Sequence, residues 1–328
     1  MSVAAKDPAG KVRVGVIGVG IMGSNHARVL ADLAGVEVVG VADPGASHRS
    51  LLAQIVGCQS CEDAEALIDL GIDAAVVAAP THLHHDIALT CIKRGVHVLV
   101  EKPIASNVEE GRAIVAAAER AGVTLMVGHV ERFNPAVQAI KDAIKGEDIL
   151  SISITRVGPF PPRMSNVGVV IDLAVHDIDL IRWFTDSEIV EVQPQVRSAV
   201  AEREDIALLQ FRTASGVLAQ INTNWLTPFK TRTVNIATRN KYVIGDLITR
   251  QVTECFGFRP DGTYSMRHLS PSHTEPLRAE LQAFVKAVRE QVAPPVTGAE
   301  GVASLEIAMQ CLQGEAEAAP RKPLRVAG

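Results

Sequence analysis

The strongest constraint on the fold lies near the N-terminus, where a Val- and Ile-rich segment runs through three glycines into a helical pattern. The segment KVRVGVIGVG (Lys11–Gly20) has the β-branched composition of a strand that is buried on both faces. The next residues, IMGSNHARVLADLAG (Ile21–Gly35), place apolar side chains at helical spacing and end at a glycine. The order strand, glycine turn, helix is typical of a βαβ unit, which builds a parallel sheet.

The same alternation continues through the first 130 residues. Helical patterns that end at glycine occupy residues 84–95 and 107–122. Continuous apolar strands joined by helices indicate a parallel sheet that is covered on both faces. We therefore predict an α/β fold whose first domain spans residues 1–130. Four further segments have the composition of its strands, at residues 36–44, 72–80, 96–103 and 123–130.

The second half of the chain has a different pattern. Its strand-like segments are longer and alternate apolar with polar residues, which indicates a sheet with one open face. Helical patterns interrupt them at residues 169–184 and 276–292. We predict a second α/β domain over residues 131–328 with a mostly antiparallel open sheet. The segments in question lie at residues 150–158, 189–200, 205–225 and 231–256.

Composition excludes several classes of protein. A length of 328 residues is enough for two domains, and a net charge of −5 argues against non-specific binding of nucleic acid. No apolar run approaches the ~18 residues of a membrane span, and the N-terminus lacks the apolar core of a signal peptide. Cys58 and Cys61 form a Cys-x-x-Cys pair without the second pair that a zinc site needs. A cytoplasmic location is the simplest expectation.

The glycine turn has the spacing of a dinucleotide-binding motif. Gly18, Gly20 and Gly23 form Gly-x-Gly-x-x-Gly between a predicted strand and a predicted helix, which is the context that the motif requires. Such glycines allow the backbone to approach a pyrophosphate, and the N-terminus of the helix attracts that anion. Asp43 follows the second strand, where a carboxylate accepts hydrogen bonds from ribose hydroxyls and disfavours a 2′-phosphate. We predict NAD as the cofactor; Arg49, six residues further on, is the feature that weighs against it.

A charged pair and a proline end the fourth strand, in VHVLVEKP. Ligands of doubly wound sheets bind beyond the carboxyl ends of the strands, so Lys102 is expected to point into the cofactor cleft. A lysine there can hydrogen-bond or deprotonate a reacting hydroxyl group. Pro103 restrains the backbone and thereby the direction of Lys102. A salt bridge at the surface is the alternative for an isolated Glu101–Lys102 pair.

The segment DLAVHDIDL supplies a second candidate for acid–base chemistry. Asp172 and His176 are four residues apart, which places both on one face of a helix. Asp172 can orient His176 or share its proton, and a histidine is an effective base near neutral pH. Asp177 and Asp179 fall on other faces and are expected to meet solvent or to cap the helix. A buried structural histidine is the alternative for His176.

These motifs together resemble the Gfo/Idh/MocA oxidoreductases over most of the chain. The resemblance rests on GVGIMG with a following histidine, PTHLHHDIA, EKP, GHVERFNP and the Asp172–His176 pair. It implies a Rossmann domain followed by an open-sheet domain that is often used for oligomerisation, and catalytic roles for Lys102 and His176 with help from Asp172. It also implies a cis Lys102–Pro103 peptide bond. The residues predicted to bind NAD are Gly18, Gly20, Ile21, Met22, Gly23, Asp43, Ala79, Pro80, Thr81, His84, Glu101 and Lys102.

One departure from the family pattern narrows the resemblance. Many members carry three consecutive glycines before the helix Asp, whereas NVGVVIDLAVHDIDL has only Gly168. This segment, together with VERFNP and RVGPFPPR, is similar to the sequences of UDP-N-acetylglucosamine 3-dehydrogenases, whose 3-keto product is aminated on the way to amide-linked lipid A. A sugar nucleotide requires cations and hydrogen-bond donors. The residues predicted to bind this substrate are Lys102, Arg156, Arg163, Asp172, His176, Asn224, Trp225, Lys230 and Arg232.

Other functions stay open at this point. A dehydrogenase of a free sugar or a polyol such as inositol would need no phosphate site, and an NAD-dependent glycosidase would recycle its cofactor. A regulator that binds dinucleotide without turnover would not need Lys102, Asp172 and His176 together. The histidines near residue 84 lack an ordered acidic or Cys partner, so no metal is predicted. A homodimer or homotetramer is expected, because an exposed apolar sheet is otherwise a liability.

Overall fold

The computed structural model describes residues 10–161 and 167–313, which fall into two compact units. One unit runs to Val130 and takes in Thr274–Ala303, and the other takes in Glu131–His273 and continues from Ser304. The first division coincides with the boundary at residue 130. The return of Thr274–Ala303 to the first unit was not expected, because a helix carries no local signal for the distant segment against which it packs.

The helices and strands of the described residues are numbered in chain order. The strands are β1 (Val12–Ile17), β2 (Val36–Ala42), β3 (Gln59–Cys61), β4 (Ala74–Val77), β5 (His97–Glu101), β6 (Leu125–Gly128), β7 (Ile149–Pro159), β8 (Ile189–Arg197), β9 (Ile206–Thr213), β10 (Leu218–Asn224), β11 (Leu226–Thr238), β12 (Lys241–Asp246), β13 (Gln251–Phe256) and β14 (Ser265–Leu269). The α-helices are α1 (Ile21–Ala31), α2 (Ala46–Val56), α3 (Ala64–Ile68), α4 (His84–Lys93), α5 (Val108–Ala121), α6 (Pro135–Ala143), α7 (Val175–Thr185), α8 (Pro276–Glu290) and α9 (Gly298–Gln313). Short 3₁₀ turns lie at Thr81–Leu83 and Val130–Phe133, and a π-helical turn at Val170–Ala174.

The first unit is built on a parallel sheet with the strand order β3-β2-β1-β4-β5-β6. The order reverses at β1 and β4, which places a crevice at the carboxyl ends of these two strands. Every residue of β4 and β6 is buried, as predicted for strands covered on both faces. This is the doubly wound, Rossmann-type arrangement that the sequence predicted.

Helix α5 shows how local sequence sets the bounds of an element. The side chain of Asn107 accepts a hydrogen bond from the Glu110 N–H at 2.8 Å, and Glu109 and Glu110 lie in the first turn, where they complement the helix dipole. Gly122 ends the helix with φ of 65°. Glycine is favoured there because it adopts this left-handed conformation without steric cost.

The second unit contains a mixed sheet with the order β14-β13-β12-β11-β7-β10-β9-β8. Its neighbouring strands are antiparallel except for the parallel pair β7 and β10. The predicted segments 205–225 and 231–256 each contain more than one strand, and the first of them reverses at Gly216, whose φ is 89°. Period-2 alternation predicts the strands but not the turns between them.

One face of this sheet forms the core of the second unit. Apolar residues of β7, β9, β10 and β11 pack there with residues of α6, α7 and α9, including Ile140, Ile178 and Phe184. The opposite face leaves large apolar side chains exposed, as an open sheet does. These side chains are Leu150, Leu208, Leu218, Tyr242, Ile244 and Met266.

Within residues 10–161 and 167–313, no helix combines the length and the apolar character needed to cross a membrane.

Candidate active site

The glycine turn at the end of β1 has the shape of a dinucleotide cradle. Gly18 has φ of 90°, and a Cβ there would lie 2.5 Å from the backbone nitrogen of Ala79. A Cβ on Gly23 would lie 1.8 Å from the carbonyl oxygen of Gly18. A Cβ on Gly20 would meet nothing within 4 Å, so this side of the turn is open. Two glycines are therefore required by packing, and the third faces space that a pyrophosphate can occupy.

The N-terminus of α1 faces the same open side of the turn. Gly20 is the N-cap residue, and no side chain caps the helix there. The first N–H groups and the dipole of a helix attract an anion at this position. Ile21 and Met22 directly follow, with 72% and 38% of their surface exposed. Exposed apolar side chains beside an anion site suit a ligand with both charged and flat apolar parts, as a dinucleotide has.

Asp43 lies directly after β2 and holds the turn. Its Oδ2 accepts a hydrogen bond from the Val19 N–H at 2.9 Å, and its Oδ1 accepts one from the Gly45 N–H at 2.7 Å. Arg49 donates from Nη1 to the carbonyl oxygens of Asp43 and Pro44, at 2.9 and 3.2 Å. The Arg49 side chain therefore stabilises the backbone at Asp43 and Pro44. The arrangement favours NAD, because a ribose 2′-phosphate would lie against the carboxylate.

His84 connects the ends of β4 and β5. Its Nδ1 lies 2.9 Å from the carbonyl oxygen of Pro103, and its Nε2 lies 2.8 Å from that of Ala79. Burial lowers the pKa of the imidazole, although the hydrogen bonds to the two carbonyls oppose this effect. With 1% of its surface exposed, His84 has almost no area for a ligand. We therefore assign His84 a positioning role instead of the predicted contact with the cofactor. Ala79, Pro80 and Thr81 follow β4 and are accessible to a ligand.

The Glu-Lys-Pro motif lies at the carboxyl end of β5, in the row of strand ends where ligands bind. Glu101 is buried, and its Oε2 accepts a hydrogen bond from the Lys102 N–H at 3.1 Å. The Lys102–Pro103 peptide bond is cis, as the resemblance implied. The Lys102 side chain is partly exposed, whereas the buried Glu101 side chain binds the backbone N–H group of Lys102. Lys102 is thus the member of the motif that can reach a substrate.

The second unit carries Asp172 and His176 on consecutive helical turns. Asp172 lies in the π-helical turn Val170–Ala174, and His176 lies in the first turn of α7. The α-helical spacing from which we predicted their pairing therefore does not apply strictly. Both side chains are partly exposed. π-Helical turns occur frequently at functional sites, because the widened turn redirects a side chain.

Glu204 anchors the start of this turn, and sequence reasoning missed it. Its Oε1 accepts a hydrogen bond from the Val170 N–H at 3.2 Å, and its carbonyl oxygen accepts one from the Val169 N–H at 2.9 Å. A Cβ on Gly168 would lie 1.9 Å from the Glu204 carboxylate. The single glycine before the turn is therefore required by a buried acid 36 residues away in the chain. No local pattern could have indicated this pairing.

Arg156 lies in a buried network of charges rather than in an open site. Its Nε and Nη2 donate to Asp177 at 2.8–3.0 Å, and its Nη1 donates to Glu131 at 2.9 Å. Arg232 also donates to Glu131, at 3.1 Å. Burial would lower the pKa of the Arg156 guanidinium, but the charges of Asp177 and Glu131 raise it above its ordinary value. The structure therefore assigns Arg156 to these carboxylates instead of the predicted substrate phosphate.

The expectation for Asp177 and Asp179 was wrong. Both were expected to meet solvent or to cap the helix, yet both are buried. Asp177 holds Arg156, and Asp179 accepts two hydrogen bonds from Arg132 at 2.6 and 2.7 Å. Two bidentate pairs thus fasten α7 within the second unit, on the helix that carries His176. The segment DLAVHDIDL contains positioning acids as well as the candidate catalytic groups.

The other predicted substrate residues differ in exposure. Trp225 is buried and packs edge-on against Phe160, with ring centroids 5.7 Å apart, so its role is packing. The Oδ1 of Asn224 accepts a hydrogen bond from the Leu226 N–H at 3.0 Å. Lys230 is exposed, and the Arg232 side chain is 37% exposed, so both can meet a phosphate. Arg163 lies outside the described residues.

Comparison with known proteins places these features in a family. Residues 12–129 match the GFO_IDH_MocA oxidoreductase family, described as having an NAD-binding Rossmann fold, and residues 148–244 match the GFO/IDH/MocA C-terminal domain. An inositol 2-dehydrogenase from Rubrobacter xylanophilus is 31% identical over 330 residues, covering 95% of this chain and 93% of that protein. This chain belongs to the Gfo/Idh/MocA family. It is an NAD-dependent dehydrogenase that acts on a CH–OH group.

Another relative matches in both sequence and structure. The UDP-N-acetylglucosamine 3-dehydrogenase from Acidithiobacillus ferrooxidans is 29% identical over 240 residues, covering 72% of this chain and 74% of that protein. A solved structure of that enzyme has a TM-score of 0.87 and 27% identity, and the match covers 93% of this chain and 97% of that one. NAD as the cofactor agrees with the Rossmann-type turn, with the position of Asp43 and with the family to which the chain belongs.

The carboxylate of Asp43 is predicted to control the affinity for NAD. Asp43→Asn removes the charge and one acceptor, so the affinity for NAD should fall by about tenfold and the preference over NADP should shrink. Fluorescence titration of the dinucleotides measures both effects. Glu119→Gln is the control and should leave both unchanged, because it removes one carboxylate at an exposed position near the C-terminal end of α5. Unchanged NAD affinity in Asp43→Asn would contradict the assignment.

The buried role of Arg156 predicts a loss of stability. Arg156→Met leaves Glu131 and Asp177 without a buried partner charge, which should lower the free energy of unfolding by about 3–5 kcal/mol. Urea unfolding followed by circular dichroism measures this change. Lys230→Met, at an exposed lysine on β11, should change it by less than about 0.5 kcal/mol. A stable Arg156→Met variant with a raised KM would instead support the phosphate role.

Proposed function

We propose that the protein oxidises the 3-hydroxyl group of UDP-N-acetylglucosamine to a ketone with NAD. The observation that carries this proposal is the match to the Acidithiobacillus enzyme, which extends to a TM-score of 0.87. The sequence RVGPFPPR also supports it, as does the presence of one glycine, Gly168, where many family members have three. The product would be a 3-keto sugar nucleotide, and we propose that an aminotransferase consumes it in lipid A biosynthesis.

Lys102 and His176 are the proposed acid–base groups. Oxidation of a secondary alcohol removes the hydroxyl proton and transfers a hydride from the same carbon. NAD, when bound, supplies the hydride acceptor. Lys102 or His176 takes the proton, since each is a partly exposed base on a rigid element. Asp172 orients His176 or shares its proton.

Lys230 and Arg232 are the proposed contacts to the diphosphate. Both lie in β11, where Arg232 is the register partner of Arg156 on β7 and the Cγ of Lys230 lies 3.4 Å from where a Cβ on Gly158 would be. One nitrogen of Arg232 is held by Glu131, which restrains the side chain while the exposed part keeps further donors. Asn224 adds an amide at the end of β10. A restrained arginine beside an exposed lysine is suited to a diphosphate.

A polyol dehydrogenase is the second candidate. The inositol 2-dehydrogenase from Rubrobacter xylanophilus aligns over 95% of this chain, a larger share than the 72% of the sugar-nucleotide enzyme's alignment. A free polyol carries no phosphate, so Lys230 and Arg232 would be dispensable for its oxidation. The two candidates share the cofactor site and the acid–base groups. They differ in whether oxidation of the substrate depends on Lys230 and Arg232 of β11.

The formation of NADH from defined substrates separates the candidates. The protein is mixed with NAD, UDP-N-acetylglucosamine and hydroxylamine, which traps a ketone, and absorbance of NADH is followed. Free N-acetylglucosamine and myo-inositol are the controls. NADH from the nucleotide sugar alone is the expected result, with a KM raised about tenfold in Lys230→Met. NADH from inositol alone, unaffected by Lys230→Met, would favour the polyol dehydrogenase.

Lys102→Met tests the catalytic assignment with the substrate that is oxidised. Turnover should fall by at least about 10²-fold, because the variant lacks a proton acceptor, while the affinity for NAD changes much less. Lys93→Met, on the exposed part of α4, is the matched control and should leave turnover unchanged. Undiminished turnover in Lys102→Met would remove Lys102 from the mechanism.

We also propose that the open face of the second-unit sheet joins two copies of the chain in a homodimer or homotetramer. The support is the set of exposed apolar side chains on this face, which includes Leu208 and Leu218. Light scattering should give the mass of two or four chains, and Leu208→Asp with Leu218→Asp should lower it. Polar replacement of the exposed Phe258 is the control. A monomeric wild-type protein would contradict the proposal.

A further inference from the structure

Three buried ionisable side chains meet inside the first unit. His26 comes from α1, Glu101 from the end of β5 and Glu280 from α8, and potential ligand atoms of all three lie within 4.8 Å of one another. Their exposed fractions are 0%, 7% and 0%. Helix α8 packs against α1 and β1, so Glu280 reaches the cluster although it lies 179 residues after Glu101 in the chain.

The hydrogen bonds inside the cluster are unequal. The Nε2 of His26 lies 2.7 Å from Oε1 of Glu101, and Oε2 of Glu101 accepts the Lys102 N–H at 3.1 Å. Among the described residues, no N–H or O–H group of another residue donates to either carboxyl oxygen of Glu280, and Nδ1 of His26 has no hydrogen-bond partner. A buried carboxylate without a partner is strongly destabilising in its ionised form. Glu280 therefore needs a proton or a cation.

The cations of the neighbouring elements are engaged elsewhere. On α1, Arg28 forms an ion pair with Glu275 at 2.5 Å. At the end of α1, Asp32 forms an ion pair with Arg278 of α8. On β1, Arg13 bonds to Glu37 and to the carbonyl oxygens of Leu70 and Gly71. These pairs lie at the surface of the unit, so within the cluster Glu280 faces the imidazole of His26 and the charge of Glu101, with Lys102 next in the chain.

The two carboxyl groups prefer opposite protonation states. Burial and the charge of Glu101 raise the pKa of Glu280 well above its ordinary value. Burial acts in the same direction on Glu101, but the hydrogen bond and charge of His26, and the charge of Lys102, lower the pKa of Glu101 below its ordinary value. Two neighbouring carboxyl groups thus divide into one acid and one carboxylate, a common arrangement in enzyme sites.

We propose that Glu280 is a permanently protonated positioning residue, whose carboxyl O–H group donates a hydrogen bond to the neighbouring carboxylate of Glu101 and so keeps Glu101 ionised beneath Lys102. The ionised Glu101 then accepts hydrogen bonds from His26 and from the Lys102 backbone, which fixes the direction of Lys102. The role of Lys102 rests on the proposed function. The protonation of Glu280 rests only on the packing of the first unit.

A divalent cation is the competing occupant of this cluster. Two carboxylates and an imidazole are a plausible ligand set. However, tetrahedral ligands at roughly 2.0–2.1 Å from a zinc ion are about 3.3 Å apart, whereas His26 Nε2 and Glu101 Oε1 are separated by 2.7 Å. That separation is a hydrogen-bond distance. The geometry therefore favours a proton over a metal ion.

Infrared spectroscopy of the full-length protein tests the protonation directly. At neutral pH, the carbonyl stretching band of a buried carboxylic acid should be present in the wild type and lost in Glu280→Gln. Glu275→Gln is the matched control, because Glu275 precedes the same helix and its side chain is 40% exposed. Absence of the band from the wild type would overturn the proposal. So would one bound metal ion per chain that elemental analysis finds in the wild type and not in Glu280→Gln.

Kinetics of two further variants test positioning, with whichever substrate the protein oxidises. Glu280→Leu should lower kcat at least about tenfold and change the KM for NAD much less, because Glu101 would lose the hydrogen bond that keeps it ionised beneath Lys102. Its pH–rate midpoint should move to lower pH, since Lys102 would lose a neighbouring negative charge. Glu280→Gln, a neutral side chain of the same shape, should recover most of kcat and the wild-type midpoint.

The outcomes separate this inference from the proposed function. Equal kcat and equal pH midpoints in Glu280→Leu and the wild type would overturn the positioning role. If Glu280→Leu does not fold, a shifted midpoint in Glu280→Gln would overturn it instead. A protein that does not oxidise UDP-N-acetylglucosamine would refute the substrate assignment alone, because the infrared test needs no substrate.

Discussion

The close approach of Gly18 to the end of β4 is the contact on which the cofactor end of the first unit depends. Because a side chain cannot fit between Gly18 and the backbone of Ala79, the turn after β1 lies directly against its neighbouring strand. The turn then leads into α1 with an uncapped N-terminus, and Asp43 holds Val19 from the other side. The turn thus lies directly against the end of β4 on one side and is tied by the Asp43 carboxylate on the other, which leaves the opening that an anionic cofactor fills.

Charge burial is the second theme of the structure. Arg156, Asp177 and Glu131 in the second unit, and His26, Glu101 and Glu280 in the first, are ionisable groups placed in low dielectric. Buried ion pairs contribute little net stability but tolerate few alternative arrangements. Their value here is geometric, since one network fastens the helix that carries His176 and the other lies beneath Lys102. Both candidate catalytic groups thus rest on buried charges.

Local signals explain what could be predicted from the sequence. The parallel strands, the glycine turn and helix α5 follow from apolar runs, capping residues and terminal glycines, which act over a few residues. Helix α3 and the three-residue β3 were missed because they are short, and α2 was missed although its length and apolar content are similar to those of α1. Alternation along β7 places Arg156 on the same face as the buried Ile152 and Ile154, but no local pattern indicates that Asp177 is its partner. Glu204 and Glu280 act on segments far away in the chain, so no local pattern indicates them.

The return of Thr274–Ala303 to the first unit has a consequence for how such a protein can be rearranged. The cofactor unit is not a contiguous cassette at the start of the chain. A fusion or recombination event that joins residues before Val130 to a foreign second half would leave His26 and Glu101 without the helix that encloses them. It would also remove the bridge between Met126 and Thr297 at the edge of the sheet. Exchange of substrate specificity by recombination would therefore have to insert a new segment between residues 130 and 274 that still packs against the part of α9 from Ser304 onward, which belongs to the second unit.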